Sequence, residues 1–542
     1  SSAASDVYKR QLLAIMAEKE NSGGGGFDKT TDYKWFGIGL LVFVLVAIMP
    51  TPESMLIKAQ EIFGDLSQDE IAGKAFNMKI IIALLGCCTV FFATEALPMP
   101  AVALFIGLVQ LFFGITHPSK IVATYAHDAV WFIAGSLAMG ATMVKYGLDK
   151  RIGMVVMQLS GTKVRNVVLG ILVGTAIPSA FISEASIAPM FVPIAMALYT
   201  LTNKKVGSAP QLGKLLMMSI AIGCMVGAPM SPTGGARNAI MIGFLSNLGP
   251  AYEISFIQWM VLGCFYTVFL GLFFAFLLPM LYKPEVDDLS DAVSTLREDL
   301  KKHGKMTQKQ WLVAGIALLM IIAWITDKDL IAPILGFPLG LGGVAMTGTV
   351  LFMLLGLTSW SDYEKNVSWG VIVLYAGAIS LGAVFKSSGA AKWLADSLIS
   401  ILTTFNIESG LPLAILVAVI GALMTNLMSA GATVAVIGPV VLEMAVSSGT
   451  NPIIIGVALA IATSMAFWLV IGTPASSVVY SAGLLDAKDF IRMATFAWPA
   501  ALVIIIVMII FYWVGLGIQP VSYTHLRAHE TDSYLVCRLL LE

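Results

Sequence analysis

The sequence predicts an all-α polytopic membrane protein whose two halves form an inverted repeat. Composition gives the first reason: 58% of the 542 residues are apolar and only 12% are charged, with a mean hydropathy of +0.87. A soluble domain carries about twice that charged fraction. The other two reasons are a series of apolar runs long enough to cross a bilayer and a block of residues that recurs in the second half.

Apolar runs predict about eleven transmembrane helices, because a helix needs ~20 mostly apolar residues to cross the hydrocarbon core. The runs lie at 35–50, 79–97, 100–116, 129–147, 214–226 with 238–248, 254–282, 311–326, 342–358, 369–386, 453–470 with 474–484, and 495–516. Two of these spans are pairs of short pieces, which predicts helices that are interrupted inside the membrane.

Two further apolar stretches, 165–200 and 408–447, are too long for one helix and carry small polar residues in the middle. The interrupting segments read SAFISEAS and TNLMSAGAT. Non-helical backbone inside the bilayer is tolerated only where protein or a water-filled cavity satisfies its polar groups. Both stretches are therefore predicted to be re-entrant hairpins, and such paired interruptions point to the binding site of a transporter.

The two halves correspond in two blocks of sequence. Five small residues recur at one constant separation: Ala134, Gly135, Gly140, Ala141 and Gly147 match Ala376, Gly377, Gly382, Ala383 and Gly389. At the predicted hairpins, Ser179, Ser183 and Pro193 match Thr425, Ser429 and Pro439 at nearly the same separation. Small residues coincide often in membrane helices, but two blocks in nearly one register indicate an internal duplication.

Lysine and arginine are concentrated in one set of the predicted loops, which places the N-terminus in the cytoplasm by the positive-inside rule. The first hairpin then enters from the cytoplasm and the second from outside, and this inverted topology suits alternating access. Two segments, 148–160 and 389–404, mix charged and apolar residues at helical spacing. They are predicted either to lie in the interface plane as amphipathic arms or to be plain loop helices.

Charge and motif content exclude several classes of function. The net charge is -1 and no long basic run occurs, so no nucleic-acid partner is expected. Four of the five cysteines lie inside apolar runs without metal-ligand spacing, and no HExxH motif is present. The soluble stretch 284–310 is too short for a catalytic domain. We therefore expect no enzymatic activity, and no cofactor apart from sodium or a proton as the coupling ion.

The duplication and the charge pattern divide the chain into segments. The start of the N-terminal segment and the last residues resemble translated sequencing adapters, and both are expected to be artefacts. The predicted divisions are an N-terminal segment 1–34, a scaffold part 35–163, a transport part 164–283 with the first hairpin, a cytoplasmic linker 284–310, a scaffold part 311–404, a transport part 405–516 with the second hairpin, and the artefactual end 521–542.

Several short motifs are shared with a known carrier family. They are Thr94-Glu95-Ala96-Leu97-Pro98, Ser255-Phe256-Ile257-Gln258-Trp259-Met260, Val367-Ser368-Trp369-Gly370, Gly472-Thr473-Pro474, Tyr480-Ser481-Ala482-Gly483 and Asp489-Phe490. With these motifs the chain resembles the divalent-anion sodium symporters, which carry dicarboxylates, citrate and sulfate. The likeness covers nearly all of residues 35–516 and implies a secondary transporter that forms a homodimer.

The site motifs of that family are altered in this chain. The family has Ser-Asn-Thr at each hairpin tip, where this chain reads Ser183-Glu184-Ala185 and Ser429-Ala430-Gly431. In the loops that interrupt the fifth and tenth helices the family has roughly Gly-Thr-Pro-Pro-Asn. This chain has Gly234-Gly235-Ala236-Arg237-Asn238 and Gly472-Thr473-Pro474-Ala475-Ser476. The resemblance therefore supports transport more strongly than it supports a dicarboxylate substrate.

The resemblance implies cation and substrate sites at these positions. The expected cation ligands are Ser179, Ser183, Glu184 and Gly234 in the first half, and Thr425, Ser429 and Gly472 in the second. The expected substrate contacts are Glu184, Ala185, Arg237, Asn238, Ala430, Gly431, Thr473, Pro474 and Ser476. The alternative for the hydroxyl groups is that they only bond back to helix carbonyls.

Glu184 and Arg237 stand out because they are charged residues in apolar surroundings. A carboxylate inside the membrane costs at least ~2.5 kcal/mol when ionised, so Glu184 is paired, bound to a cation or protonated, unless it faces a wet vestibule. The planar guanidinium of Arg237 suits carboxylate or sulfate oxygens. Two roles stay open for Arg237: a permanent salt bridge to Glu184, or a substrate clamp released when sodium or a proton neutralises Glu184.

For this multi-pass protein of the inner membrane, the resemblance implies sodium-coupled symport of a divalent anion, of the dicarboxylate, citrate or sulfate class, by an elevator-type mechanism. The alternative is a proton-coupled or cation-exchanging carrier of the same fold with Glu184 as its cation site. The expected partners are a small anionic substrate, Na⁺ or H⁺, the lipid bilayer and a second copy of the chain.

Overall fold

The computed structural model describes residues 30–182, 184–301 and 305–518, and in these ranges the regular structure is helical apart from one isolated bridge between Lys163 and Asp288. The expected artefacts at the two ends lie outside the described residues. The helices of the first half are α1 Tyr33–Ile48, α2 Glu53–Phe63, α3 Gln68–Thr94, α4 Met99–Phe112, α5 Pro118–Tyr125, α6 Asp128–Lys145, α7 Leu148–Leu159, α8 Val164–Ser179, α9 Glu184–Val206, α10 Pro210–Gly227, α11 Ala236–Ser246 and α12 Phe256–Leu281.

The helix α13, Ser290–Lys301, lies in the predicted linker and separates the two halves. The helices of the second half are α14 Gln308–Thr326, α15 Ala332–Leu335, α16 Gly340–Leu354, α17 Trp360–Asn366, α18 Trp369–Ser387, α19 Ala390–Thr403, α20 Gly410–Met424, α21 Ala430–Ser447, α22 Pro452–Ala462, α23 Pro474–Ser481 and α24 Ala487–Val507. Helices α16 to α24 repeat α4 to α12 in order and in approximate length.

The described part of the chain contains nine helices that are long and apolar enough to cross a membrane, or ten if α1 and α2, bent by 75°, form one broken span. The prediction of an all-α polytopic membrane protein is therefore confirmed. About eleven spans are predicted from the sequence, and the count differs because the runs at 100–116, 342–358 and 453–470 contain apolar helices of fewer than 18 residues, α4, α16 and α22.

Polar residues at the helix starts explain where many of these helices begin. In a capping box the side chain at the N-cap accepts a bond from the third residue, whose side chain bonds back. Capping boxes start α3, α12, α14, α17 and α24, with the N-caps Ser67, Ser255, Thr307, Ser359 and Asp486. These polar residues flank long apolar runs, so they fix the register of each helix.

The duplicated glycines make reciprocal contacts between the halves. A Cβ added at Gly135 in α6 would lie 2.5 Å from Cβ of Ala345 in α16, and one added at Gly377 in α18 would overlap Ala103 in α4. Helix α6 thus crosses α16 closely, and α18 crosses α4 in the same way. Gly147 and Gly389, which precede α7 and α19, share left-handed φ values of 65° and 81°, a conformation that favours glycine.

The helices that follow each hairpin pack against the opposite half. Helix α11 contacts α21 and α22, whereas α23, its counterpart, contacts α9 and α10. This exchange brings the two sets of interrupted helices together at the centre of the molecule. A Cβ added at Gly431, at the start of α21, would lie 3.1 Å from Cβ of Ala236 at the start of α11.

The linker is attached to the end of the bundle where α8 and α10 begin. The Glu285 carboxylate accepts hydrogen bonds from the N–H groups of Gln211 (2.8 Å) and Leu212 (3.0 Å) at the start of α10. The N–H of Val164 at the start of α8 donates to the carbonyl of Asp287 at 3.0 Å. The linker therefore holds the starts of α8 and α10 side by side.

Candidate functional site: two helix breaks

The first half contains a pair of interruptions that we call the first break: residues 180–182 between α8 and α9, and residues 228–235 between α10 and α11. The second interruption consists of two short 3₁₀ turns, Ala228–Met230 and Pro232–Gly234. Prolines in both turns lack the N–H that a continuous helix needs. The sequence therefore ends α10 locally, where α8 and α9 also separate.

Hydrogen bonds join the two interruptions of the first break. The hydroxyl groups of Ser231 and Thr233 both donate to the carbonyl of Ala180, the latter at 3.1 Å. The Asn238 amide Nδ2 donates to the carbonyls of Ala228 (3.0 Å) and Ser231 (2.7 Å). These contacts satisfy much of the backbone that the helices leave unpaired, as burial requires.

Three carbonyl oxygens converge on Gly234. A Cβ at this position would overlap the carbonyl oxygen of Ala228 and would lie 2.9 Å and 3.0 Å from those of Ser179 and Ala180. Glycine is required here because of this close approach of backbone. The predicted first cation site thus contains a cluster of neutral oxygens between α8 and the start of α11.

Five buried polar atoms at the first break have no hydrogen-bond partner among the residues that the structure describes. They are Ser179 Oγ, Glu184 Oε2, Arg237 Nε, Arg237 Nη2 and Asn238 Oδ1. Each unsatisfied buried polar atom costs about 1–3 kcal/mol, so native structures contain few of them. Because all five atoms lie at one break, we expect a ligand to supply hydrogen-bond partners or ionic contacts there that protein atoms do not.

Glu184 and Arg237 lie within electrostatic range of each other but form no direct ion pair in the described part of the chain. Arg237 is the second residue of α11, and its side chain is only 3% exposed. A Cβ at Gly235 would lie 3.3 Å from Cζ of Arg237, so the guanidinium lies over the glycine. The permanent salt bridge, one of the two predicted roles, is not formed in this structure.

The second half contains the equivalent second break: residues 425–429 between α20 and α21, and residues 463–473 between α22 and α23. The Thr425 hydroxyl donates to the carbonyl of Thr463 at 2.8 Å. Asn426 donates to the carbonyls of Ala422 (2.7 Å) and Met465 (3.3 Å), and its Oδ1 accepts from the N–H of Trp468 at 3.2 Å. Asn426 therefore ties the hairpin turn to the neighbouring interruption.

The remaining polar side chains of the second break are also hydrogen-bonded. Ser429 Oγ accepts from the N–H of Ala432 at 3.3 Å and caps α21. Thr473 Oγ1 accepts from the N–H of Ser476 at 3.1 Å, and Ser476 Oγ lies 3.8 Å from Sδ of Met225. A Cβ at Gly472 would lie 2.8 Å from the carbonyl oxygen of Ala466, much as Gly234 approaches Ala228.

The predicted site residues fall into three groups in the structure. Ser179, Glu184, Gly234, Arg237 and Asn238 come together at the first break, and Gly431 with its neighbour Ala430 reaches this break through the contact with Ala236. Thr425, Ser429, Gly472, Thr473 and Ser476 form the second break, where Pro474 is exposed. Ser183 lies outside the described residues, as does the side chain of Ala185.

Sequence reasoning missed several polar residues at the breaks. Ser231 and Thr233 bind the hairpin carbonyl, and Asn426 closes the second break. Tyr266 and Tyr375 lie within electrostatic range of Arg237. The hydroxyl groups of Ser231 and Thr233 beside a glycine pair were a usable signal, whereas the tyrosines lie in ordinary apolar helices and give none.

Residues 33–519 match the family model described as the sodium:sulfate symporter transmembrane region. The chain belongs to this family. The chain is 24% identical over 528 residues to the sodium-dependent dicarboxylate transporter SdcS of Staphylococcus saprophyticus, covering 94% of this chain and 95% of that protein. It is 25% identical over 452 residues to SdcS of Staphylococcus aureus strain USA300, covering 80% and 85% of the two chains.

Two solved structures share the fold. MtrF of Neisseria gonorrhoeae, described as illuminating a class of antimetabolite efflux pumps, aligns with a TM-score of 0.52 at 12% identity over 74% of this chain and 85% of that one. The YdaH transporter of Alcanivorax borkumensis aligns with a TM-score of 0.50 at 16% identity, over 74% and 89%. At such identities the likeness concerns fold alone. The family membership predicted from the motifs is confirmed, and the protein is a membrane transporter rather than an enzyme.

Proposed function

We propose that this transporter imports a divalent anion together with sodium, and that both ligands bind at the first break. The unpartnered atoms there carry the proposal, because they are of two chemical kinds. Ser179 Oγ, Glu184 Oε2 and Asn238 Oδ1 are oxygens that suit a cation, whereas Arg237 Nε and Nη2 are donors that suit an anion. A symporter needs both kinds in one place.

The anion would contact the guanidinium of Arg237 and the start of α11. Nε and Nη2 form one edge of the planar guanidinium, and a carboxylate or sulfate accepts two parallel hydrogen bonds from such an edge. Arg237 is the second residue of α11, so the positive end of the helix dipole adds to its charge. The dicarboxylate substrate in the names of the SdcS relatives supports an organic dianion, and the family description supports sulfate.

The cation would bind between α8 and the start of α9. Its neutral ligands would be the carbonyl oxygens around Gly234 together with Ser179 Oγ, and Glu184 would be the single carboxylate. A cation at Glu184 removes a negative charge from the surroundings of Arg237. Because charges interact strongly where water is excluded, this neutralisation would strengthen anion binding and would couple the two ligands.

The alternative carrier uses Glu184 to bind a proton or to exchange cations, without sodium symport. Glu184 Oε2 has no hydrogen-bond partner in the described part of the chain, and a protonated carboxyl group would also relieve its burial. The two proposals differ in the ion that drives uptake, so ion replacement separates them.

The motion we propose is of the elevator type. The segments 35–163 and 311–404 would form the scaffold, while 164–283 and 405–516 would move together with the ligands. The contacts of α11 with α21 and of α23 with α9 support this grouping, since they join the interrupted helices of both halves into one unit. We further propose that both hairpins are re-entrant, that the second break shapes the substrate site through Ala430 and Gly431, and that the protein is a homodimer in the bacterial inner membrane.

Uptake into proteoliposomes tests this function. Labelled succinate, citrate and sulfate are offered under an inward sodium gradient, and then under an inward proton gradient with choline replacing sodium. We expect uptake of at least one anion that requires sodium. Uptake driven by protons alone would support the alternative, and uptake of none of the three anions under either gradient would contradict both.

Glu184→Gln tests the role assigned to the carboxylate. We expect the sodium concentration for half-maximal uptake to rise about tenfold, the size of effect of losing one hydrogen bond to a charged group. Glu408→Gln is the matched control, because Glu408 Oε2 is also buried without a partner among the described residues but lies before α20, outside both breaks. If neither the sodium nor the pH dependence of uptake changes in Glu184→Gln, the carboxylate has no coupling role.

A further inference from the structure

Two tyrosine side chains near Arg237 differ in their hydrogen bonding. Tyr266 in α12 and Tyr375 in α18 both lie within electrostatic range of the guanidinium. The Tyr266 hydroxyl shares a hydrogen bond with Ser464 Oγ at 3.0 Å. The Tyr375 side chain is 3% exposed, and its hydroxyl forms no hydrogen bond with any described residue. Within the described part of the chain, the Tyr375 hydroxyl is therefore a donor without a protein acceptor.

The packing of α18 on α11 places Tyr375 at the depth of Arg237. A Cβ at Gly243 would lie 3.1 Å from Cδ1 of Ile379, and a Cβ at Gly382 would meet the Phe244 ring. Further along both helices, the Lys386 ammonium donates to the carbonyl of Asn247 at 2.8 Å, so residue numbers rise together and the two helices run in the same direction. Tyr375 comes about 6 Å before Ile379 and Arg237 about 9 Å before Gly243, at 1.5 Å per residue. The two side chains thus start from similar levels.

Helix packing does not demand a phenol at this position. In the duplicated register Ala134 matches Ala376 and Gly135 matches Gly377, so Ile133 in α6 is the counterpart of Tyr375. Ile133 is 7% exposed and packs in the core as an aliphatic residue. The tyrosine therefore occurs in α18, which packs on the helix that carries Arg237, whereas the equivalent residue of α6 is an isoleucine.

We propose that the Tyr375 hydroxyl donates a hydrogen bond to the anion held by Arg237 and is a specificity-determining residue of the transporter. This inference rests on the proposed anion site at Arg237. A phenol is protonated at neutral pH and donates a single directed hydrogen bond. Together with the guanidinium edge, it would favour an anion whose oxygens point in two directions, as in sulfate or a dicarboxylate.

The location of Tyr375 gives the proposal a second consequence. Helix α18 belongs to the proposed scaffold, whereas Arg237 belongs to the proposed moving part. The phenol and the anion would then meet in one orientation of the transporter and separate in the other. A variant at Tyr375 should therefore weaken the apparent affinity on one face of the membrane only.

The test compares Tyr375→Phe with Tyr363→Phe in proteoliposomes of defined orientation. Tyr363 is the matched control, because it lies in α17 and its hydroxyl already donates to Thr349 Oγ1 at 2.9 Å. The probes are sulfate and succinate. For Tyr375→Phe we expect the apparent KM to rise about tenfold, the effect of one lost hydrogen bond to a charged group. The rise should occur on one face only, with maximal rate and sodium activation unchanged.

Several results would overturn this inference. One is an unchanged KM on both faces, another is an equal rise on both faces, and a third is the same change in Tyr363→Phe. If Tyr375→Phe does not fold, Tyr375→His, which retains an N–H donor, is compared with Tyr375→Leu, and equal KM values in these two variants overturn it as well. Failure of the proposed function is distinct, because the unmodified chain would then lack sodium-dependent uptake of either probe.

Discussion

The two breaks share a backbone design but differ in their chemistry. Helices α9 and α21 begin after equivalent hairpin turns, yet the first residue is Glu184 in one and Ala430 in the other. Helices α11 and α23 begin after equivalent loops, yet the second residue is Arg237 in one and Ala475 in the other. Both charges of the first break are thus replaced by alanine in the second.

The hydrogen bonding of the breaks differs in the same sense. The five unpartnered atoms described above all belong to the first break, whereas Thr425, Asn426, Ser429, Thr473 and Ser476 have protein partners in the second. The two breaks therefore share a backbone arrangement without sharing the side chains that could bind a ligand. The first break combines two charged residues with unpartnered polar atoms, whereas the polar side chains named in the second break bond to protein atoms.

The largest expected effect comes from Arg237→Ala. Truncating one partner of a buried charged contact costs about 2–5 kcal/mol, so we expect kcat/KM for anion uptake to fall by about 100-fold or more. Arg492→Ala removes an exposed guanidinium from α24 and serves as the control, with uptake unchanged. Normal uptake by folded Arg237→Ala would show that the anion binds elsewhere. The chemical difference between the two breaks would then have no role in anion binding.

A double-mutant cycle measures the link between the two charges. Glu184→Gln, Arg237→Gln and the double variant are compared by the anion concentration needed for half-maximal thermal stabilisation. Residues that share an environment show interaction free energies of about 0.5–3 kcal/mol, and we expect the double variant to lose less than the sum of the single losses. Additive losses would show that the carboxylate and the guanidinium act independently.

Asn238 and Ser476 provide a matched pair, since each is the third residue of its helix after the loop. Asn238→Ala removes an oxygen that has no partner in the described residues and two donated hydrogen bonds. We expect it to weaken sodium activation about tenfold, by the loss of about 1–2 kcal/mol. Ser476→Ala removes an acceptor for the Thr473 hydroxyl (3.1 Å) and a weak contact to the Met225 thioether, and it should leave sodium activation unchanged. Equal effects of the two variants would contradict the assignment of the cation to the first break.

Asn426→Ala should have the smallest effect on transport. Its amide makes three hydrogen bonds, two of which, with Met465 and Trp468, join the two interruptions of the second break, so we expect its loss to lower the free energy of unfolding by about 1–3 kcal/mol. Sodium activation and anion KM should stay unchanged in the protein that remains folded. A thermal unfolding curve and an uptake assay at the same temperature separate these effects, and a large change in sodium activation would make the second break a cation site.

The duplication, the interrupted helices and the charged residues Glu184 and Arg237 could be predicted from local sequence, because each depends on spacing or on an unusual residue in apolar surroundings. The glycine pair Gly135 and Gly377 fits the predicted repeat, and its reciprocal contacts follow from that symmetry. The number of spans could not be predicted from apolar runs, since runs such as those of α4 and α16 contain helices of fewer than 18 residues.

The partners of each polar group could not be predicted. The sequence placed a threonine at one break and a serine at the equivalent position of the other, but the Thr425 hydroxyl is bonded to Thr463 whereas Ser179 Oγ has no partner among the described residues. That difference arises from residues far apart in the chain. The same holds for Tyr375, whose proximity to Arg237 depends on how α18 packs against α11.

Anomalous diffraction from an anion labelled with a heavy atom tests the central claim most directly. Crystals grown in sodium would be prepared with selenate, as a sulfate analogue, and separately with bromosuccinate, as a dicarboxylate analogue. The account predicts a selenium or bromine peak next to the guanidinium of Arg237 at the first break for at least one of them. A peak confined to Thr473 and Ser476 at the second break, or no peak for either anion, would contradict it.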